Sequence, residues 1–182
     1  MIFLLTGKCV LMRSISAGLL LILMAATASF GQVARSINPA NEPYHKTGGE
    51  LPTLKIDTSQ IRTISNQDLA SEGHLFLVIF VPTCEHCTRM AKLICDHADL
   101  FQGSKVLFIT KNGMKPYFAD FKKETGLDQH PSFLLGIDKI YALDKLINYK
   151  ELPQINVYDK HQKLVHTFNG DIPIDSLKQY LP

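Results

Sequence analysis

The sequence predicts an α/β domain: a central mixed sheet with helices on both faces, completed by a C-terminal β-hairpin and a last helix. Three observations predict it. Two unbroken apolar runs cover residues 75–81 and 106–109, a helical pattern follows each, and a strand–turn–strand pattern lies near the C-terminus. Alternating strands and helices imply parallel pairing through crossover helices, and a late hairpin adds an antiparallel edge.

In chain order, residues 51–64 alternate loosely and suit a short hairpin. Residues 75–81 (LFLVIFV) combine β-branched and aromatic side chains without a polar break, as a strand buried on both faces requires. Pro82-Thr83 ends that strand. A helix over 84–100 follows from the spacing of Met90, Leu93, Ile94, Ala98 and Phe101. Residues 106–109 form a second buried strand. Pro116 opens the next helix, with Tyr117, Phe118 and Phe121 on its apolar side, and Gly126 closes it. A short strand at 133–135 and a short helix at 140–147 come next. Residues 155–158 and 164–168 flank a polar turn and read as a hairpin, and the last helix covers 174–181. There is no internal repeat and no glycine-rich phosphate loop.

Residues 1–31 read as a signal peptide. Lys8 and Arg13 supply a basic flank, residues 15–28 are almost all apolar or small, and small residues follow at the cleavage region. The apolar stretch is shorter than the roughly 20 residues of a membrane span, although an uncleaved anchor remains the alternative. Residues 32–50, polar and rich in Asn, Pro and Gly, read as a linker to a domain at 51–182. Two of the 19 basic side chains lie before residue 32, where there is no acid, so the rest of the chain balances 17 acids. That neutrality gives no reason to expect nucleic acid or an anionic membrane as a partner. Export makes the expected location the periplasm, where disulfides form and persist. Removing the signal leaves Cys84, Cys87 and Cys95, an odd number, so at least one is free or pairs with another molecule.

The chemistry is concentrated in Cys84-Glu85-His86-Cys87, between a buried strand and a helix. Two cysteines three residues apart at a helix start share one face and can bond. Free backbone N–H groups and the helix dipole there favour a thiolate on the first. Cys84 is the candidate nucleophile and Cys87 the resolving thiol. His86 as a cation would stabilise the thiolate, while Glu85 acts against it. Cys84, His86, Cys87, Cys95 and His97 resemble a metal set in composition. On a continuous helix, however, Cys95 lies about 12 Å and His97 about 15 Å beyond Cys87, too far for one zinc ion. Cys95 then reads as a small buried hydrophobe. Copper on Cys84 and Cys87, with or without His86, stays open.

Residues 78–87 (VIFVPTCEHC) resemble the strand-to-active-site segment of thioredoxins. Within that fold the chain is most similar to exported redoxins of the TlpA type, related to the alkyl hydroperoxide reductase/thiol-specific antioxidant group. Residues 151–159 (ELPQINVYD) resemble the family's second signature, a proline before an edge strand that ends in an acidic turn. The resemblance covers about residues 50–182. It implies a thioredoxin fold, a cis Pro153 beside the dithiol, and a partner groove shaped by Leu152 and Pro153. It also implies thiol–disulfide exchange with protein thiols and a redox partner protein, in a monomer needing no bound cofactor or metal.

The departures are specific. Thr83 stands where the family has Trp, Leu152 where thioredoxins often have Thr, and Met90 at a position that is acidic in many relatives. No general base for the dithiol is visible. Val81, three residues before Cys84, is not the Thr or Ser of peroxiredoxins, so peroxidase activity is not expected. The competing class is a binding module, either a copper carrier or a non-catalytic thioredoxin-like scaffold.

Overall fold

Seven strands pair into one mixed sheet in the computed structural model, which describes residues 43–60 and 62–181. In chain order they are β1 (Lys55–Thr58), β2 (Thr63–Ser65), β3 (Leu75–Ile79), β4 (Lys105–Thr110), β5 (Leu134–Asp138), β6 (Gln154–Tyr158) and β7 (Leu164–Asn169). The sheet order is β2-β1-β5-β4-β3-β6-β7. The three inner strands β5, β4 and β3 run parallel, as the crossover pattern requires. The expected antiparallel edge is present as β6–β7, with β6 antiparallel to β3. The short hairpin expected over 51–64 is β1–β2, and its first strand pairs with β5 to make a second antiparallel edge that was not foreseen.

The two faces of the sheet follow from strict alternation along β3 and β4. Phe76, Val78, Val106 and Phe108 point to one face, and Leu75, Leu77, Leu107 and Ile109 to the other. The first face carries the three α-helices of the described residues: α1 (Glu85–Asp96), α2 (Phe118–Thr125) and α3 (Asp175–Lys178). The second is covered more thinly, by Leu69 of a 3₁₀ turn at Asn66–Leu69 and by Leu143 and Ile147 of a π turn at Leu143–Ile147. Helical segments thus cover both faces, unequally.

Where elements differ from expectation, local chemistry explains it. The helix expected over 84–100 is α1 followed by a 3₁₀ turn at Ala98–Phe101. His97 breaks the helical path at φ −121°, and its ring Nδ1 lies 2.9 Å from the Leu93 carbonyl, one of the last-turn acceptors. The helix expected over 140–147 is the single π turn. Asp138 starts it by accepting from the Ile140 and Leu143 amides at 3.1 and 2.8 Å, and Asn148 ends it in the left-handed region at φ +46°. The last helix is shorter than 174–181. Pro116 opens a 3₁₀ turn (Lys115–Tyr117) that leads into α2, and Gly126 closes α2 at φ +74°, a conformation that glycine adopts without a Cβ penalty.

The linker expected over 32–50 needs one correction. Residues 43–50 attach to the domain. The Gly48 and Leu51 amides donate to Leu164 and Gln162, the Leu164 amide donates to Gly49, and Lys163 pairs with the Glu50 carboxylate at 2.7 Å. A neutral-looking composition hid this because the partners lie more than 110 residues away. The signal-peptide reading of 1–31, and the rest of the linker to residue 42, lie outside the described residues. Among the described residues no helix is long and apolar enough to cross a membrane.

Surface carboxylates make the fold acid-sensitive. Hydrogen bonds and nearby cations hold Asp171 (with Arg89), Asp175 (with Lys178), Asp68 (with the Ser65 amide and hydroxyl) and Asp57 (with Thr63 and Lys139) below the usual carboxylate range. Burial lowers His45 below its ordinary value. For a group whose folded pKa is depressed, the unfolded chain binds protons first. Its stabilisation is complete above the unfolded pKa and is lost as pH falls through the folded one. The urea midpoint should therefore decline gently below about pH 6.5 through His45, and further below about pH 4 through the carboxylates. A midpoint that rises on acidification would contradict this assignment.

Candidate active site

Cys84 is the N-cap of α1, held in extended geometry at φ −93°, ψ 118°. Its amide donates to the Val81 carbonyl at 3.0 Å, and its carbonyl accepts from the Thr88 amide (3.0 Å) and hydroxyl (3.3 Å). β3 ends at Ile79 and the chain turns through Pro82-Thr83, so the motif is presented at the C-terminal end of the parallel strands. The first amides of α1 have no acceptor within the helix and face outward from this turn.

The two motif cysteines sit close together and are not joined in a disulfide. Cys84 is half-buried and open to approach, whereas Cys87 is 1% exposed. Burial pushes the Cys87 thiol up to about 12, with Cys84 and the Asp171 carboxylate adding in the same direction and a hydrogen bond with the Val81 backbone opposing. Cys87, Met90, Ala91, Ile94 and Cys95 form the inward stripe of α1. Cys95 is buried two turns beyond Cys87 in the same core cluster, and burial also pushes it up to about 12. It is not brought to the dithiol.

Glu85 and His86, the expected tuning residues, are exposed and belong to a charged cluster that sequence reasoning did not find. Arg89 pairs with the Glu85 carboxylate at 2.6 Å and with Asp171 Oδ2 at 2.6 Å. His86 Nδ1 lies 2.9 Å from Asp171 Oδ2 and 2.7 Å from the Arg89 guanidinium. One ring nitrogen cannot serve both. It donates to Asp171 when it carries the proton and accepts from Arg89 when it does not. Arg89 was discoverable as the i+4 partner of Glu85. Asp171 was not, because 82 residues separate it from Arg89.

The Leu152–Pro153 peptide is cis, the isomer the family resemblance implied. β6 pairs with β3 as Gln154↔Ile79, so one further step of register sets Pro153 opposite Phe80, close to where the motif begins. Pro153 is buried, and Leu152 is half-buried against both core clusters. The Pro153 carbonyl accepts from the Gly170 amide at 2.8 Å. Gly170 has φ +71°, and a Cβ there would come within 3.1 Å of the Glu151 carboxylate, so the position suits glycine twice over. Three loops therefore meet at one end of the sheet: 83–84, 152–153 and 170–171. Beside them a cleft of about 410 Å³ runs along α1, between Met90 and Leu93 on the helix and Ile172 on the loop.

No group of three His, Cys, Asp or Glu side chains arranged to hold a metal occurs among the described residues. The dithiol offers two sulfurs, and the nearest imidazole nitrogen is engaged with Asp171 and Arg89.

No protein-family model matches the chain, and no curated protein matches it. Solved structures do. A thioredoxin-like protein from Bacteroides caccae superposes with a TM-score of 0.60 at 17% identity, over 76% of this chain and 50% of that one. The chain thus spans half the length of that protein. StoA from Bacillus subtilis gives 0.56 at 16% identity, over 70% of this chain and 95% of its own. The thioredoxin domain of a thiol-disulfide oxidoreductase from Bacteroides vulgatus gives 0.55 at 16%, over 74% and 94%. At these identities the likeness concerns the fold, a thioredoxin fold with a central mixed sheet.

Proposed function

We propose, taking that thioredoxin fold as the premise, that the protein is an exported thiol–disulfide oxidoreductase of the TlpA type acting on protein thiols and disulfides. The observation that carries this reading is the pair itself. A half-exposed Cys84 stands at the N-cap of α1, with a buried Cys87 close behind it and no disulfide between them. Cys84 stands at the helix start with its sulfur open to approach, and Cys87 lies one turn further on in the core.

The exchange balances as follows. The Cys84 thiolate attacks a partner disulfide, a bond forms between Cys84 Sγ and one partner sulfur, and the other leaves as a thiolate that takes a proton from water. Cys87 gives its proton to solvent and attacks Cys84 Sγ. The Cys84–Cys87 disulfide forms, the second partner thiolate departs, and two electrons have passed to the partner. The reverse oxidises a dithiol partner. Glu85 and His86 tune the pair, and Leu152 and Pro153 line the approach of the partner chain. The function needs no bound cofactor. The basic flank at Lys8 and Arg13 with the apolar stretch at 15–28 supports export to the periplasm, and the monomer is the working unit.

The test is covalent trapping. Reduced Cys87→Ser protein mixed with a disulfide-bonded protein such as insulin should accumulate a mixed disulfide through Cys84, released by dithiothreitol, and Cys84→Ser protein should give none. Absence of the adduct in the Cys87→Ser protein would replace this reading with a binding module.

A further inference from the structure

Against His86, between the two motif cysteines in sequence, stands a carboxylate that these exchange steps leave idle. Asp171 lies in the loop between β7 and α3, with one oxygen 2.6 Å from the Arg89 guanidinium and 2.9 Å from His86 Nδ1. These contacts fasten the loop to the first turns of α1. The backbone hydrogen bond from Gly170 to Pro153 fastens it to the opposite side of the site. The side chain thus sits against His86 of the motif and Arg89 one turn on, from an element that neither cysteine belongs to.

We propose that Asp171 is a positioning residue for the dithiol: held by Arg89 and His86, its fixed negative charge disfavours anionic sulfur in the pair and so sets how firmly the pair keeps its electrons. The proposal rests on the thiol–disulfide reading above. The physical ground is an asymmetry between redox states. The reduced pair can carry a thiolate, whereas the disulfide carries no charge. A nearby carboxylate therefore raises the free energy of the reduced form alone and makes the pair a stronger reductant. Arg89, two residues from Cys87, acts with the opposite sign.

Asp171 is poorly suited to a proton-relay role. The Arg89 hydrogen bond, with that of His86, holds its carboxyl below the usual range, so it is a weak proton acceptor. Cys87 is pushed up to about 12, chiefly by burial, and stays protonated, so the charge of Asp171 acts on the reduced pair through the attacking sulfur, Cys84. The other charged groups facing the site are Glu85 on α1, Lys92 and Asp96 further along it, and Glu151 beside Gly170.

The two opposed charges make the test signed. The equilibrium constant of the full chain with glutathione is measured for the parent, Asp171→Asn, Arg89→Gln and the double variant, at low salt and at 1 M salt. Asp171→Asn should shift the equilibrium about three- to tenfold toward the dithiol, which is about 14 to 30 mV less negative. Arg89→Gln should shift it the other way, and the double variant should return near the parent. Asp171→Glu should stay nearer the parent than Asp171→Asn, and high salt should shrink both single shifts. Single variants that move in the same direction, as a loosened loop would make them, overturn the proposal. So does an Asp171→Asn shift that is absent or directed toward the disulfide. A parent chain that forms no disulfide with glutathione overturns the underlying exchange reading first, and the proposal with it.

Discussion

At neutral pH, iodoacetamide should label Cys84 of the reduced protein while Cys87 and Cys95 lag a free thiol by about three orders of magnitude. The thiolate is the species alkylated. A free cysteine with a pKa near 8.5 is a few per cent thiolate at pH 7, whereas one at about 12 is thiolate to roughly one part in 10⁵. Both interior cysteines are pushed to about 12, chiefly by burial. Steric exclusion acts in the same direction, since Cys87 is 1% and Cys95 3% exposed. Peptide mass spectrometry over a labelling time course separates the three sites. The lag should narrow as pH rises. Labelling of Cys87 at the rate of Cys84 would remove the division into an attacking and a resolving sulfur.

The largest loss of stability should follow Phe80→Ala, at about 3–5 kcal/mol. Phe80 is 1% exposed and continues β3 toward the motif. Its ring centroid lies 4.5 Å from that of Phe121 on α2 and 6.1 Å from that of Phe108 on β4. Truncation removes the transfer free energy of the ring and leaves a void that two fixed elements cannot easily close. Urea denaturation of the parent and the variant measures the difference. A loss under about 1 kcal/mol would mean the packing around Phe80 collapses freely, contrary to its place between α2 and β4.

The parts of this molecule that could be read from sequence are those encoded by neighbours. β3 and β4 announce themselves because burial on both faces demands unbroken apolar runs. Cys84 and Cys87 announce themselves because three-residue spacing at a helix start is a local property. The cis Leu152–Pro153 peptide came from family resemblance, since proline before a strand is otherwise compatible with a trans bond. The pairing of residues 48–51 with 162–164, and the second antiparallel edge through β1, depend on partners that no local pattern names. The π turn depends on the Asp138 carboxylate reaching two amides just ahead of it, a local contact that overrode the ordinary helical expectation. Asp171 was invisible for want of a local partner. It follows a strand in a polar turn, and only the fold brings it to Arg89.

β6 lies against β3, although 74 residues separate the start of one from the end of the other in the order of synthesis. Ile155, Val157 and Leu177 share the cluster that shelters Cys87 and Cys95, and all three come from the last third of the chain. A nascent polypeptide that has emerged only through β5 already carries Cys84, Cys87 and Cys95 but has none of that cover. Oxidants met during biogenesis would therefore reach Cys87 and Cys95, which the folded domain keeps dry, and the chain is most exposed to wrong pairing before β6 and α3 arrive.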